Sequence, residues 1–380
     1  MPGKRPKEQN SPTENTLKAM KTKETAPVRK VITIIMAVIT FIVITGIFVG
    51  LFNGKNAPSG NVLIPSMLCL ALPCLIIADI FLIVFWAFRK SLLFIAPAIT
   101  ALFCIDYIGT LYQFGNACNQ KADITIASYN VSRFQNENSK QRAYAIFDNL
   151  KKSGVDIICL QEYNDEKDEH GNGIEKILLS EYPYTAMGRD DMIIFSKFPI
   201  TAFDLINFGE TNNSALWADI EVDKKIIRVY NVHMQTTGIN SVLHEISRGR
   251  LCGSQKEEAI LNSYESGVKQ RASQSLMVAS HLSKCNSSII LCGDFNDVPY
   301  SYTYRTLLGN LVDGFRNAGK GYMSTYRGAK SLLRIDYIFH SKDIKGVEYV
   351  SKNWTYSDHY PVIMKLATCP SDSEAQRMKK

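Results

Sequence analysis

Six short polar clusters interrupt otherwise apolar stretches in the last two thirds of the 380-residue chain. They read Ser128-Tyr129-Asn130, Leu160-Gln161-Glu162, Asn231-Val232-His233, Gly293-Asp294-Phe295-Asn296-Asp297, Arg334-Ile335-Asp336-Tyr337 and Ser357-Asp358-His359. Carboxylates, amides and imidazoles in this combination suit one job. Hard oxygen ligands hold a magnesium-like ion through one or two carboxylates and several waters. A carboxylate or histidine can take a proton from water, a second histidine can serve a leaving group, and amides can orient phosphate oxygens. Singly, each cluster has a plainer reading. A glutamate after a strand is a solvated terminus, Asn-x-His is a hydrogen-bonded strand end, and Gly-Asp-Phe-Asn-Asp is a turn made of turn-forming residues. Their joint occurrence at the ends of apolar runs is what favours chemistry, because a sheet holds polar groups rigidly at its strand ends.

The elements that would position them are legible as β-branched, apolar runs of strand length. These are Ile124–Asn130, Val155–Gln161, Met192–Phe195, Ala215–Glu221, Ile226–His233, Ser288–Gly293, Arg334–His340 and Val362–Leu366. Ser139–Ser153 and Val268–Ser283 have helical spacing. Strands mixed with helices over some 250 residues point to one α/β domain with a large sheet core. Met234 to Gly267 reads as a long polar connection, of the kind that is often functional.

The order and spacing of the six clusters, with Tyr360-Pro361 after the last and Ile338 after the fifth, resemble the signature set of the endonuclease/exonuclease/phosphatase superfamily. That group includes pancreatic-type deoxyribonucleases, apurinic/apyrimidinic endonucleases, neutral sphingomyelinases and inositol polyphosphate 5-phosphatases. The resemblance covers Ile124 to Leu366. It implies a four-layer α/β/β/α sandwich with the site at one edge of two packed sheets, and a divalent ion, Mg2+ or Mn2+, as cofactor. Carried over residue by residue, it implies that Glu162 binds the ion, with Asn130 close to ion and phosphate and Asp358 beside the metal. Asp294 would position or deprotonate the attacking water, Asn296 would hold a phosphate oxygen, and Asn231 would contact substrate. Asp336 would fix the tautomer of His359 and favour its charged form, and His233 would meet the phosphate or the departing oxygen. Some nucleases of the group pair the first histidine with a further carboxylate, a part open here to Asp190 or Asp191; the plainer reading of that pair is a solvated turn.

The first third differs in kind. Val31–Phe52, Val62–Phe88 and Leu92–Phe114 are apolar runs long enough to cross about 30 Å of hydrocarbon, the second interrupted by Pro65 and Pro73. They predict three transmembrane helices, giving a basic cytoplasmic tail at 1–30, a membrane region at 31–116, a catalytic domain at 120–368 and a disordered tail at 369–380. The tail holds eight basic residues, the first loop one (Lys55) and the second the pair Arg89 and Lys90. Positive charge marks the cytoplasmic side, so this alternation places the catalytic domain outside, periplasmic or extracellular. Asp79 and Asp106 are read as facing the helix bundle and bonding a neighbouring hydroxyl or carbonyl. The nine cysteines show no CxxC and no histidine at metal-like spacing, which argues against a zinc site.

From Asn119 onward there are 32 basic and 31 acidic residues. So balanced a domain lacks the gross basic footprint of a nonspecific nuclease. Arg248, Arg250, Lys269 and Arg271 are read as solvated surface, and Tyr300, Tyr302 and Tyr304 as packing around a helix start. Tethering favours a phosphoester near the outer membrane face, a phospholipid or sphingolipid headgroup or a phosphorylated small molecule, ahead of a nucleic acid. A tethered nuclease and a non-catalytic membrane-bound binding module are the alternatives.

Overall fold

The computed structural model describes residues 14–55, 62–115, 120–134, 139–164, 178, 180–188, 191–209, 211, 213–250 and 253–368. The tail at 369–380 and Asp190 lie outside the described residues. Two six-stranded sheets form the body of the catalytic region. One has the order β13 (Ile344–Ser351), β14 (Val362–Thr368), β2 (Ile124–Asn130), β3 (Ile157–Gln161), β5 (Ile193–Ser196), β4 (Tyr184–Met187), and the other β10 (Val312–Asp313), β12 (Asp336–His340), β9 (Ser288–Asp294), β8 (Lys225–His233), β7 (Ser214–Val222), β6 (Ile200–Asn207). The strands that carry the clusters are β2 (Ile124–Asn130), β3 (Ile157–Gln161), β8 (Lys225–His233), β9 (Ser288–Asp294), β12 (Asp336–His340) and β14 (Val362–Thr368). Within each sheet one parallel pair, β2 with β3 and β8 with β9, is flanked by antiparallel neighbours.

Period-two alternation sorts the side chains into layers. Ile126, Cys159, Val229, Ile290 and Ile338 point between the sheets into a shared core. Ala127, Ile158 and Leu160 point outward against Ala143, Ile146 and Leu150 of the helix Ser139–Lys152. On the other side Tyr230, Leu291 and Phe339 meet Val278 of the helix Ser254–Leu282 and Tyr304 and Leu307 of Tyr302–Leu308. The result is the four-layer α/β/β/α sandwich. The polar connection expected from Met234 to Gly267 instead contains a helix, Ile239–Ser247, and the first half of the 29-residue helix Ser254–Leu282. Lys256, Glu257 and Glu258 keep that half polar, so no apolar stripe announced it. Strands β4 (Tyr184–Met187), β6 (Ile200–Asn207) and β13 (Ile344–Ser351) were not legible either; β6 is an edge strand whose residues are mostly exposed.

Among the described residues two helices are long and apolar enough to cross a membrane, Val28–Lys55 and Leu92–Leu111. The middle run is divided at Ala71 into Leu63–Leu70 and Leu72–Phe88, and it supplies a third span only if the two pieces count as one. Pro73 explains the break, since a proline inside a helix removes a donor and clashes with the preceding turn. One compact unit combines residues up to Phe48 with Pro73–Leu102. In it Trp86 Nε1 donates to Thr40 Oγ1 at 2.9 Å. Asp79 departs from expectation, being buried with neither carboxylate oxygen hydrogen-bonded among the described residues.

The second unit combines Val49–Leu72 with the described residues from Phe103 onward. Asp106 accepts from Tyr300 Oη and from Arg316 of the catalytic region, which corrects its placing inside a helix bundle. Tyr107 packs edge-on against Tyr300 with ring centroids 5.3 Å apart, and Arg305 donates to the carbonyl of Leu51 at 3.1 Å. A short strand β1 (Tyr112–Gln113) pairs with β11 (Gly321–Tyr322).

Candidate active site

The alternation that builds the core also delivers the site. Continuing the inward-facing series of each strand to its end gives Asn130 on β2, His233 on β8 and Asp294 on β9, while Asp336 opens β12. Register brings three of them abreast, His233 opposite Asp294 and Asp294 opposite Asp336. Gly293 permits this arrangement. Its φ of +140° and the Val232 backbone, into which a Cβ would collide, leave room for no side chain.

Asn130 sits at the centre. Its Nδ2 donates to Glu162 Oε1 and to Asp294 Oδ2, both at 3.1 Å, while its Oδ1 accepts the backbone N–H of Ser132 at 3.0 Å. The nitrogen therefore faces the carboxylates. Asn130, expected close to ion and phosphate, here contacts the two carboxylates expected to bind the ion and to position the water. Asn296 converges on the same carboxylate, with its backbone N–H 2.8 Å from Asp294 Oδ1 and its Nδ2 3.2 Å from Oδ2. Glu162 and Asn296 both adopt left-handed backbone, φ 50° and 51°. For residues with a Cβ this costs of order 1–2 kcal/mol each, strain of the kind that gathers at functional positions.

Two histidine–aspartate pairs flank Asp294. His359 Nδ1 lies 3.0 and 3.1 Å from the two Asp336 oxygens, and its Nε2 is 3.7 Å from Asp294 Oδ2. Burial opposes charge on this ring, but the Asp336 and Asp294 carboxylates outweigh it, and the His359 pKa is pushed up to about 10. Burial also opposes charge on Asp336, so the pair holds its proton as a unit. His233 Nδ1 lies 3.3 Å from Asp191 Oδ2, which selects Asp191 and replaces the solvated-turn reading, since Asp191 is buried. Burial again works against charge there, while Asp191, Asp294 and Glu162 raise the pKa above the ordinary histidine value. His233 Nε2 is buried, has no hydrogen-bond partner among the described residues and is 3.8 Å from Glu162 Oε1.

Asn231 and Asp358 stand apart from this group. Asn231 also faces inward, but one repeat deeper, and is fully buried. It donates to the carbonyls of Leu160 and Ile193 at 2.8 and 3.1 Å and accepts from Gln161 Nε2 at 2.5 Å. Its amide is spent joining the two sheets, which corrects its assignment to substrate. Asp358 is exposed, 3.2 Å from Ser357 Oγ, on the wall of a cleft of about 510 Å³ shared with Arg142, Arg327 and Tyr356. It reaches His359 through its charge, which also favours the protonated ring. Arg271, read as solvated, is buried and bonds Asp297 Oδ2 at 3.3 Å and the Gln235 carbonyl at 3.0 Å.

Supporting residues went unseen in the sequence. Thr325 Oγ1 accepts the N–H groups of Ile335 and Asp336 at 2.9 and 3.0 Å, fixing the start of β12. Ser357 Oγ donates to the Asn130 carbonyl at 2.8 Å, tying the last cluster to the first. The ring of Tyr326 lies 5.1 Å from that of His359. Nothing about a lone threonine or tyrosine in a loop marks it for such work.

Which groups could hold a hard cation follows from their chemistry. Asp294, Asp336 and His359 lie close enough together to share an ion. A protonated His359, however, offers no lone pair. Glu162 fits better. Its carboxylate is 29% exposed at the rim, and it shares a donor with Asp294, leaving oxygens free for an ion that otherwise keeps water and phosphate ligands.

The sequence profile of the endonuclease/exonuclease/phosphatase family matches residues 127–359, and the chain belongs to that family. Its members are hydrolases acting on phosphoester bonds. No curated protein sequence matches the chain. Among solved structures it is similar to a humanized TDP2 of D. rerio, at 16% identity over 64% of this chain and 99% of that one, with a TM-score of 0.47. It is likewise similar to a mannosyl-6-phosphatase of Bacteroides thetaiotaomicron, at 19% identity over 64% of this chain and 99% of that one, with a TM-score of 0.44. A family protein of Beutenbergia cavernae covers 66% of this chain and 73% of its own, at 16% identity and a TM-score of 0.48.

Proposed function

We propose that the protein is a membrane-anchored, divalent-metal-dependent phosphoesterase acting on a phosphate ester at the outer membrane face. One observation carries this reading: Asn130, Glu162, His233, Asp294, Asn296, Asp336 and His359 converge through direct contacts of 3.8 Å or less. A bound Mg2+ or Mn2+ held by Glu162 would polarise the phosphoryl group and help neutralise its charge.

The chain's own groups supply the rest. Asn130 and Asn296 direct N–H donors at Asp294 and at the oxygens of a phosphate beside it. Asp294 orients the attacking water and takes its proton. His359, kept charged by Asp336, stabilises the negative charge that builds on the phosphoryl oxygens. His233 presents its unpartnered Nε2 to the departing oxygen, with Asp191 fixing the ring. Either histidine can give the proton to the leaving group.

Membrane anchoring rests on the apolar helices, and the outer location on the Lys/Arg distribution at their ends. The near-neutral domain favours a lipid headgroup or a phosphorylated small molecule over nucleic acid. A tethered nuclease is the second reading, and a non-catalytic binding module the third. Hydrolysis of bis-(p-nitrophenyl) phosphate, abolished by EDTA and by Asp294→Ala, separates the enzymes from the module. A side-by-side comparison in which plasmid is cut far faster than lipid would favour the nuclease. A cysteine introduced after residue 120 that reacts with an impermeant thiol reagent only after lysis would place the domain in the cytoplasm.

A further inference from the structure

Three exposed aromatic side chains gather at one place on the second unit, and Leu332 is joined to them through its carbonyl. Tyr112 and Phe114 follow the helix that ends at Leu111, with ring centroids 5.3 Å apart, and are 45% and 90% exposed. Tyr322 lies opposite Tyr112 across the β1–β11 pair, and its hydroxyl donates to the Leu332 carbonyl at 2.7 Å. Tyr322 and Leu332 are 49% and 60% exposed. Lys320, whose side chain lies against Gly115, and Lys330 are exposed beside them. A patch of this kind on a soluble surface calls for something to cover it.

Chain continuity names the cover. Tyr112 is the next residue after Leu92–Leu111, a helix long and apolar enough to span a bilayer, and Phe103, Ile105 and Ile108 on its last turns are exposed. With the Asp106–Arg316 pair marking where that span meets the headgroups, Tyr112 and Phe114 follow within about two turns at the same polar border, where tyrosines are enriched and lysines meet lipid phosphates. Strand pairing carries Tyr322 to the same level, since paired strands lie about 4.8 Å apart. We propose that Tyr112, Phe114, Tyr322 and Leu332, flanked by Lys320 and Lys330, form an interfacial seat that rests in the headgroup layer of a phospholipid bilayer.

The proposal rests on the membrane-anchored reading and adds to it. From Tyr322 to Tyr326 is four residues, at most about 14 Å of chain, and the Tyr326 ring lies 5.1 Å from His359. A seated domain thus holds the His359 side of its site within about 20 Å of the headgroups by the same chain reach. That is the position needed for a phosphoester still embedded in lipid.

The test uses the full chain reconstituted in phosphatidylcholine vesicles whose acyl chains are brominated near the headgroup. Added indole emission is read, after subtraction of the parent chain, from Tyr322→Trp, Leu332→Trp, Phe103→Trp and Phe203→Trp. Phe103 lies in the apolar helix, and Phe203 is exposed on the edge strand β6. The seat requires that the indoles at positions 322 and 332 lose most of their emission while that at 203 loses none. Quenching at 103 with none at 322 and 332 overturns the seat and leaves the anchor. No quenching at any position overturns both. A blue-shifted but unquenched indole at 322 or 332 means that protein covers the patch, a second copy included, and also overturns the proposal.

Discussion

Replacing Asp336 by asparagine keeps the shape of the site and removes one charge. Its carboxylate lies 3.0 Å from His359 Nδ1. At an effective dielectric of about 20, unit charges at that separation attract by about 5.5 kcal/mol, which is worth about four pH units at about 1.4 kcal/mol each. Burial takes some of this back and Asp294 adds to it, leaving the imidazole pKa pushed up to about 10. Without Asp336 the burial penalty is no longer outweighed, and the ring should lose its proton near or below the ordinary histidine value of about 6.5. If the protonated ring is the working form, activity persists below its pKa and disappears as pH rises through it. Turnover of bis-(p-nitrophenyl) phosphate by the parent chain should therefore hold through about pH 9, the range set by the raised pKa. In Asp336→Asn the fall should come near neutrality, with turnover at pH 8 down by about 30-fold or more, since pH 8 lies about 1.5 units above a ring pKa of about 6.5. The raised pKa has a stability counterpart, fully present below about 6.5 and lost as pH climbs through about 10. An Asp336→Asn variant that melts normally and keeps the parent pH profile would refute the role given to the pair.

Other expectations bear on the metal, the core and the acid side. Glu162→Gln should raise the Mg2+ concentration needed for half-maximal turnover and lower the maximum, as read by metal titration; an unchanged titration would move the ion elsewhere. Asn231→Ala should cost about 2–6 kcal/mol of stability, because two buried carbonyls lose donors at about 1–3 kcal/mol each, with KM unmoved once the protein is folded. A urea melt checks the first part and steady-state kinetics the second. Burial lowers the pKa of His340, whose ring bonds the Ser341 carbonyl at 2.9 Å. Its contribution is present above the unfolded value of about 6.5 and is lost as pH falls through the lower folded value. His340→Gln should flatten the dependence of the urea midpoint on pH below about 6.5.

The legible part of the molecule was the part governed by alternation. Apolar runs located the central strands, and the last inward position of each could be recognised because it carried a polar residue where the pattern called for an apolar one. Depth along that inward face was not legible. Asn231 and His233 share it, two residues apart, yet one bridges the sheets and the other faces the site. Backbone was hidden as well, since nothing in Leu160-Gln161-Glu162 announces a left-handed glutamate. The long helix was legible from Val268 onward, but its first half was not, because Gln255, Lys256, Glu257 and Glu258 open it and its few apolar residues form no long stripe. Arg271 and Asp106 were misplaced for a common reason: charged side chains were assigned to solvent or to a helix bundle, whereas tertiary partners, Asp297 for one and Tyr300 with Arg316 for the other, decide where they go.

The clamp around Tyr300 bears on what a cut between the apolar helices and the two sheets would do. Tyr300 closes the loop that begins at Asn296, and it is braced by Asp106, Tyr107 and Arg305, the last of which also grips Leu51. A protease cutting between residues 115 and 120 would sever the peptide link to Asp106, Tyr107 and Leu51 while leaving Arg305 and the candidate site residues on the other fragment. Such a fragment would keep its candidate site residues but lose the contacts that Asp106 and Tyr107 make with Tyr300 and that Leu51 makes with Arg305.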